Sequence, residues 1–294
     1  MPVVKYTKKQ FDLIFSSDDT CLNYLFKTQY QKTEECPNCK RDFRFYKITN
    51  KRHYSCQWCG YCLSPTANTI FHKSCTSLKD WFYAIYLFSV SKNGVSGKEL
   101  QRQLGVTYKC AWRIAHHVRK LMTSDNNLLK GIVEIDETYV GGKESNKHKD
   151  KKTPDNQGRS LKTKSAIIGA VEREGNIVAK VVVNTSSSII KPFIRGNICI
   201  TAQIKTDEYA VYNSVTRMGY SHATIDHGRG EYVNGDIHTN NLEGFWSQLK
   251  RSINGTYHFV SPRYLQTYVD EFAFRYNHRS SEIHLFDLLL ANIV

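Results

Sequence analysis

Two cysteine pairs constrain this chain more than any other feature: Cys36-x2-Cys39 and Cys56-x2-Cys59, with sixteen residues between them. Two such pairs bring four thiolates to the corners of a tetrahedron, which is the geometry of a closed structural zinc site. The intervening segment holds FRFYKI (43–48) and RHYSC (52–56), aromatic and strand-prone, around the turn-forming Thr49-Asn50-Lys51. Pro37-Asn38 and Gly60 stand where the chain must turn back on the metal. A segment of this size has little core of its own, and four thiolates on one ion supply what the core lacks. Cys62 and His53 are alternative ligands, but the symmetric four-cysteine set is preferred. An iron–sulfur site is disfavoured because no third C-x2-C follows, and a redox dithiol needs only one pair. The reading is a zinc ribbon over 33–76, preceded by a helical segment over 1–32.

Cys21, Cys62, Cys75, Cys110 and Cys199 are scattered, and the total of nine is odd. Disulfide scaffolds are smaller and usually even in count, so a reducing, intracellular setting is expected. The longest apolar run, WFYAIYLFSV (81–90), is about half of a membrane span, and MPVVKYTKKQ lacks the apolar stretch of a secretion signal. No membrane partner is expected. The net charge of +14 is unevenly placed: residues 1–130 hold 21 basic and 9 acidic residues, residues 131–294 hold 20 and 18. A polyanion-binding front half and a back half with a different task follow from that asymmetry.

Behind the ribbon, Leu78, Trp81, Phe82, Ile85, Tyr86 and Phe88 recur at helical spacing. Ser96 can cap a helix through Leu104, Gly105-Val106 makes a turn, and Thr107 can cap a second helix over 108–122. This is the layout of a helix-turn-helix, assigned to 77–126. Its second helix would present Tyr108, Lys109, Trp112, Arg113 and His116 to a major groove; an ordinary helical hairpin with solvated charges is the alternative.

From 127 to 294 the pattern changes. Strands are expected at 131–142, 165–173, 176–184, 198–205 and 221–226, with helices at 186–195, near 209–218, at 240–254, 262–277 and about 282–292. A lysine-rich tract, 143–164, reads as a loop. The order βββαβαβα fits an RNase H-like mixed sheet flanked by helices.

Asp136 lies inside the first of these strands, where burying an acid is costly without a purpose. Asp207 lies at the exit of the fourth. Glu243 lies in the first turn of the helix 240–254, on a polar stripe with Asn240, Ser247 and Lys250, opposite an apolar stripe of Leu242, Phe245, Trp246, Leu249 and Ile253. Three carboxylates so placed can hold two divalent ions for in-line phosphodiester displacement, and hard oxygen ligands select magnesium or manganese. Each acid has a blander reading: Glu243 can complete a capping box with Asn240, Asp207 can cap a helix, and Asp136 has Glu134 and Glu137 as competitors. Glu134 would share the face of Asp136, and Glu137 would point away. Lys250 and Arg251 follow Glu243 by two helical turns and can hold a DNA phosphate.

The segments CPNC…CQWC, LGVTYKCAWRIAHHVRKLM, IDETYVGG, TDE and HTNNLEGFWSQLKRSINGTYH, in that order, resemble DDE transposases of the ISXO-like bacterial insertion-sequence branch, kin to eukaryotic Merlin elements. The resemblance runs from about residue 20 to residue 280. It implies a metal-dependent enzyme that binds terminal inverted repeats, cleaves at the element ends and joins the freed 3′-hydroxyls to target DNA. Carried over by motif, the acidic triad is Asp136, Asp207 and Glu243, followed by Lys250. The third position varies in that branch, so Asn240 is the alternative third ligand. The resemblance also implies a homodimer or higher multimer on paired DNA ends. His238, Tyr257 and His258 lie in the last motif without an assigned role. The rivals are a DNA-binding regulator with an inactive back half, and an RNase H-like nuclease that cuts without joining.

Overall fold

The computed structural model describes residues 6–123, 127–142, 148–154, 160–225 and 240–293. His238 and parts of the tract 143–164 lie outside them. The chain divides into two compact units, Met1–Met122 with Ser281–Val294, and Thr123–Ser280. Among the described residues no helix is long and apolar enough to cross a membrane.

The first unit begins with helices α1 (Lys8–Ile14) and α2 (Asp18–Tyr30), each opened by a reciprocal capping box, at Thr7 with Gln10 and at Ser17 with Thr20. Strands β1 (Phe45–Lys47), β2 (Tyr54–Cys56) and β3 (Cys62–Leu63) follow as an antiparallel sheet in that order. Each cysteine pair sits on a tight turn. Lys40 N donates to Cys36 O and Gly60 N to Cys56 O, both at 3.0 Å, and both turn residues have positive φ, 56° and 72°. The second turn uses glycine for that conformation; the first uses a lysine. Helix α2 covers the ribbon with Phe26, whose ring stacks on Tyr54 at 3.8 Å.

Helices α3 (Leu78–Val90), α4 (Gly97–Leu104) and α5 (Tyr108–Lys120) come next. Gly105, at φ 64°, ends α4, and the Thr107 side chain caps α5 by accepting from Cys110 N. The last helix, α9 (Leu285–Ala291), also belongs to this unit. The sequence placed it with the preceding 150 residues. Packing decides otherwise: Phe286 is fully buried, with its ring within 6 Å of Phe11 and Phe15 and 6.5 Å from Phe82.

The second unit is a five-stranded sheet, order β6-β5-β4-β7-β8. Its strands are β4 (Ile132–Gly141), β5 (Lys164–Glu172), β6 (Ile177–Val182), β7 (Gln203–Asp207) and β8 (Ser221–Ile225). The first three pair antiparallel through short connections, while β4–β7 and β7–β8 are parallel. This mixed sheet with helices fits an RNase H-like domain. Period-two alternation sends β4 to two cores. Val133 and Ile135 join Ile168, Ala170 and α6 (Ser187–Asn197) on one face. On the other face Ile167 and Val171 pack with α7 (Asn240–Ser252) and α8 (Leu265–Asn277).

Two expectations need correction. The strand predicted at 198–205 begins at Gln203. Ile198 makes a single bridge to Leu129, and a turn closed by Ala202 N on Cys199 O interrupts the run. Ile198 and Ala202 are apolar because they fill core, not because they extend a ladder. The helix predicted near 209–218 is two 3-10 turns, Ala210–Ser214 and Thr216–Met218. Its first turn is tethered at both ends, by Asp207 Oδ1 accepting from Tyr209 N at 3.1 Å and by Tyr212 Oη donating to Glu137.

Candidate active site

β4 and β7 pair in parallel as far as Glu134 opposite Lys205. Two residues further along that register, Asp136 comes beside Asp207, the last residue of β7. Carboxylate oxygens of Asp136, Glu137 and Asp207 lie within 4.8 Å of one another. Glu137 was expected to point away, and along the strand it does take the opposite face: Tyr212 Oη donates to its Oε1 at 2.8 Å. Its carboxylate nevertheless reaches the other two. The sequence signal was the doublet Asp136-Glu137 itself, at the level where the β4–β7 ladder has ended.

Asp136 is fixed by a lock across the sheet. Its partner on β5 is Gly169, and the Trp246 ring lies so close over that glycine that an added Cβ would stand 2.6 Å from it. The absent side chain lets Trp246 Nε1 donate to Asp136 Oδ2 at 3.1 Å. Burial raises the Asp136 carboxyl to about 6, and the charges of Asp207 and Glu243 add to that shift. Glu243 therefore sits in the same field as Asp136, on the exposed stripe of α7 with Asn240, Ser247 and Lys250. Lys250 is shifted below the usual lysine range by desolvation; Asp136 opposes the shift and Lys164, at the start of β5, adds to it. Arg251 is exposed and donates to Ser247 O.

Glu134 is not part of the cluster. It is completely buried and accepts from Asn241 N at 3.1 Å, Leu242 N at 3.3 Å, Asn241 Nδ2 at 2.9 Å and Arg173 Nε at 3.0 Å. A strand carboxylate thus satisfies the N-terminus of α7 and sets where Glu243 begins.

A carboxyl held near 6 gives a defined pH signature. Between about 4 and 6 the folded protein binds more protons than the unfolded chain, so in buffer without added magnesium or manganese stability falls as pH rises through that window, by on the order of 3 kcal/mol. Asp136→Asn should flatten the slope. Urea midpoints of both proteins across that range check it, and equal slopes would count against the desolvated carboxyl.

The four ribbon cysteines form a second cluster. Sγ atoms of Cys36 and Cys59 are 3.8 Å apart, those of Cys39 and Cys56 3.9 Å, and all four lie within 4.8 Å. Four sulfurs each about 2.3 Å from one ion would be spaced by roughly 3.8 Å, so the set is compatible with a zinc ribbon. Asn38 Nδ2 donates to Cys59 Sγ at 3.5 Å and leads in lowering that thiol to about 6. Cys62 instead contacts Gly60 O.

On α5, Tyr108 and Lys109 are exposed, while Trp112 and Arg113 are half-buried. Arg113 lies over the Trp81 ring at 5.7 Å and donates to Ser74 Oγ. His116 is buried beside Trp112, and its imidazole is lowered to about 4 by desolvation, so it is a core residue rather than a presented one.

Residues 128–277 match the family described as the ISXO2-like transposase domain. A Halobacterium salinarum protein described as an uncharacterized protein in transposable element ISH50 is 25% identical over 278 residues, 89% of this chain and 91% of its own. A chain in the cryo-EM structure of the simian T-cell lymphotropic virus intasome in complex with PP2A regulatory subunit B56 gamma superposes with TM-score 0.30 at 15% identity. The match covers 60% of this chain and 63% of that one, so less than two thirds of that neighbour is spanned.

Proposed function

The chain belongs to the ISXO2-like transposase domain family, and on that premise we propose that it binds the terminal inverted repeats of its element, cleaves at the ends and transfers the 3′-ends to target DNA. The observation that carries this reading is the convergence of Asp136, Glu137 and Asp207, with Glu243 in the field of Asp136. Asp136, Asp207 and Glu243 are the acidic triad, with Asn240 as the alternative third ligand. Glu137 is added as a further carboxylate, because its oxygen lies within 4.8 Å of those of Asp136 and Asp207 and could bind an ion held there. Magnesium or manganese held there would activate the attacking oxygen and stabilise the leaving one. The chain's own residues do the rest. Trp246 orients the Asp136 carboxylate, Lys250 and Arg251 hold a DNA phosphate, and α7 carries Glu243, which lies outside the 4.8 Å cluster of the strand acids but acts on Asp136 through its charge.

In the first unit, the four cysteines hold structural zinc. Helices α4 and α5 act as a helix-turn-helix in which Tyr108 and Lys109 reach the duplex, with Trp112 and Arg113 partly withdrawn behind them. Two copies act on paired ends, in a DNA-associated setting inside the cell.

A strand-transfer assay tests the reading, using purified full chain, labelled duplexes taken from the DNA flanking its gene, supercoiled target, and magnesium or manganese. Joined product that depends on metal and falls at least about 100-fold in Asp207→Asn, with end binding retained, is the expected outcome. End binding without cleavage under either metal would instead favour a regulator, and cleavage without joining a nuclease.

A further inference from the structure

Helix α7 does not end in an ordinary cap. It widens into a π-turn, Ile253–Tyr257, and then reverses at His258, whose φ of 60° and ψ of −44° are rare for a residue with a side chain. Phe259 N donates to Tyr257 O at 2.7 Å, closing a γ-turn of the strained, positive-φ kind. The residues on either side are fastened. Tyr257 and Val260 both pack against the core under α7 and α8. Tyr257 Oη also donates at 2.9 Å to Glu271, a fully buried carboxylate that Arg275 Nη2 engages at 2.8 Å.

Between these two anchors Phe259 stands 75% exposed. Single exposed apolar residues are common and need no explanation. Here, however, a backbone conformation that costs energy, flanked by the partly buried Tyr257 and Val260, keeps a phenyl ring in water beside the exposed His258. The exposed cations Lys250, Arg251 and Arg263 bracket it in sequence. An aromatic face between cations is the pattern by which proteins hold single-stranded nucleic acid: phosphates on the charges, a base on the ring. From Lys250 to Phe259 the chain advances roughly 10–14 Å at helical rise, about three or four nucleotide steps.

We propose that Phe259 is a base-stacking residue, which holds an unpaired base of the DNA strand a few nucleotides from the carboxylate cluster. This rests on the reading of DNA as substrate and adds the state in which part of it is bound: locally unpaired, with a base out of the helical stack.

The test is equilibrium binding of the full chain to two fluorescent probes, a short blunt duplex and the same duplex with mismatches in its last few base pairs so that the end splays. Wild type should prefer the splayed end. Phe259→Ala should lose about 5- to 100-fold affinity for it while changing blunt-duplex affinity less than about twofold, and Phe259→Trp should restore the preference. Because the side chain is exposed, Phe259→Ala should keep the wild-type melting temperature. Equal affinity of wild type and Phe259→Ala for the splayed probe overturns the proposal and leaves the transposase reading standing, as does an equal loss on both probes. Failure of wild type to bind either probe overturns both.

Discussion

Stripping the four-cysteine site with a strong chelator is expected to unfold the ribbon, releasing one equivalent of zinc per chain. The reason is the small size of what remains. The three ribbon strands have three, three and two residues, and their apolar contacts are mainly a cluster of Phe26, Phe43, Phe45 and Tyr54 rings together with the buried Leu63. Closed zinc sites contribute on the order of 10–16 kcal/mol of apparent binding free energy, which is folding free energy here because the site does not exist in the unfolded segment. Cys56→Ala should reproduce the chelator result, since Cys56 is both a proposed zinc ligand and the last residue of β2. Limited proteolysis between residues 33 and 76, with metal release followed by a colorimetric chelator, would check it. A ribbon that stays protease-resistant without metal would mean that the aromatic cluster suffices, and the thiols would need another explanation.

Glu134→Ala is the second large effect. The substitution removes a buried carboxylate that four donors engage at once, the Arg173 guanidinium and the first N–H groups of α7 among them. Breaking one side of a buried pair typically costs about 3–5 kcal/mol, and the helix terminus adds to that. Glu134→Gln keeps an acceptor and should lose less. The consequence for the site is separable from the consequence for stability. With α7 released at its N-terminus, Glu243 should lose its position relative to Asp136, so strand transfer should drop more in Glu134→Ala than the folded fraction alone explains. Thermal unfolding and strand transfer measured on the same preparations decide the point; activity that tracks the folded fraction would reduce Glu134 to a purely structural residue.

Much of the geometry of the candidate site was legible in the sequence, for identifiable reasons. Cysteine spacing is a local property, and the second knuckle turn falls at Gly60 as the sequence indicates, whereas the positive-φ residue of the first is Lys40 rather than Pro37-Asn38. The apolar stripe Leu242, Phe245, Trp246 and Leu249 is likewise local, and all four are buried, which put Glu243 and Lys250 on the exposed side. Alternation on β4 placed Glu134 and Asp136 on one face, where their partners Asn241 and Trp246 now lie. What could not be read locally was misjudged or missed. Glu137 was assigned away from the site because alternation says nothing about where a neighbouring strand stops pairing. Glu134 was weighed as a rival ligand because nothing in IVEID shows that a helix more than a hundred residues later will begin against it.

The sequence by itself determined the elements and the chemistry available to them: a ribbon with four clustered cysteines, a mixed sheet carrying acids, and a helix with one buried and one polar face. Those follow from side-chain periodicity and from ligand spacing, which act over a few residues. Only the tertiary structure decided which acids meet. The parallel register of β4 on β7 sets Asp136 beside Asp207, and the missing side chain of Gly169 admits Trp246 against Asp136. The same level of organisation drew α9 into the first unit through Phe286 and held Phe259 out in solvent. Each depends on contacts between segments far apart in the chain, whose energies come from burial and close packing and leave no periodic trace in the residues that make them.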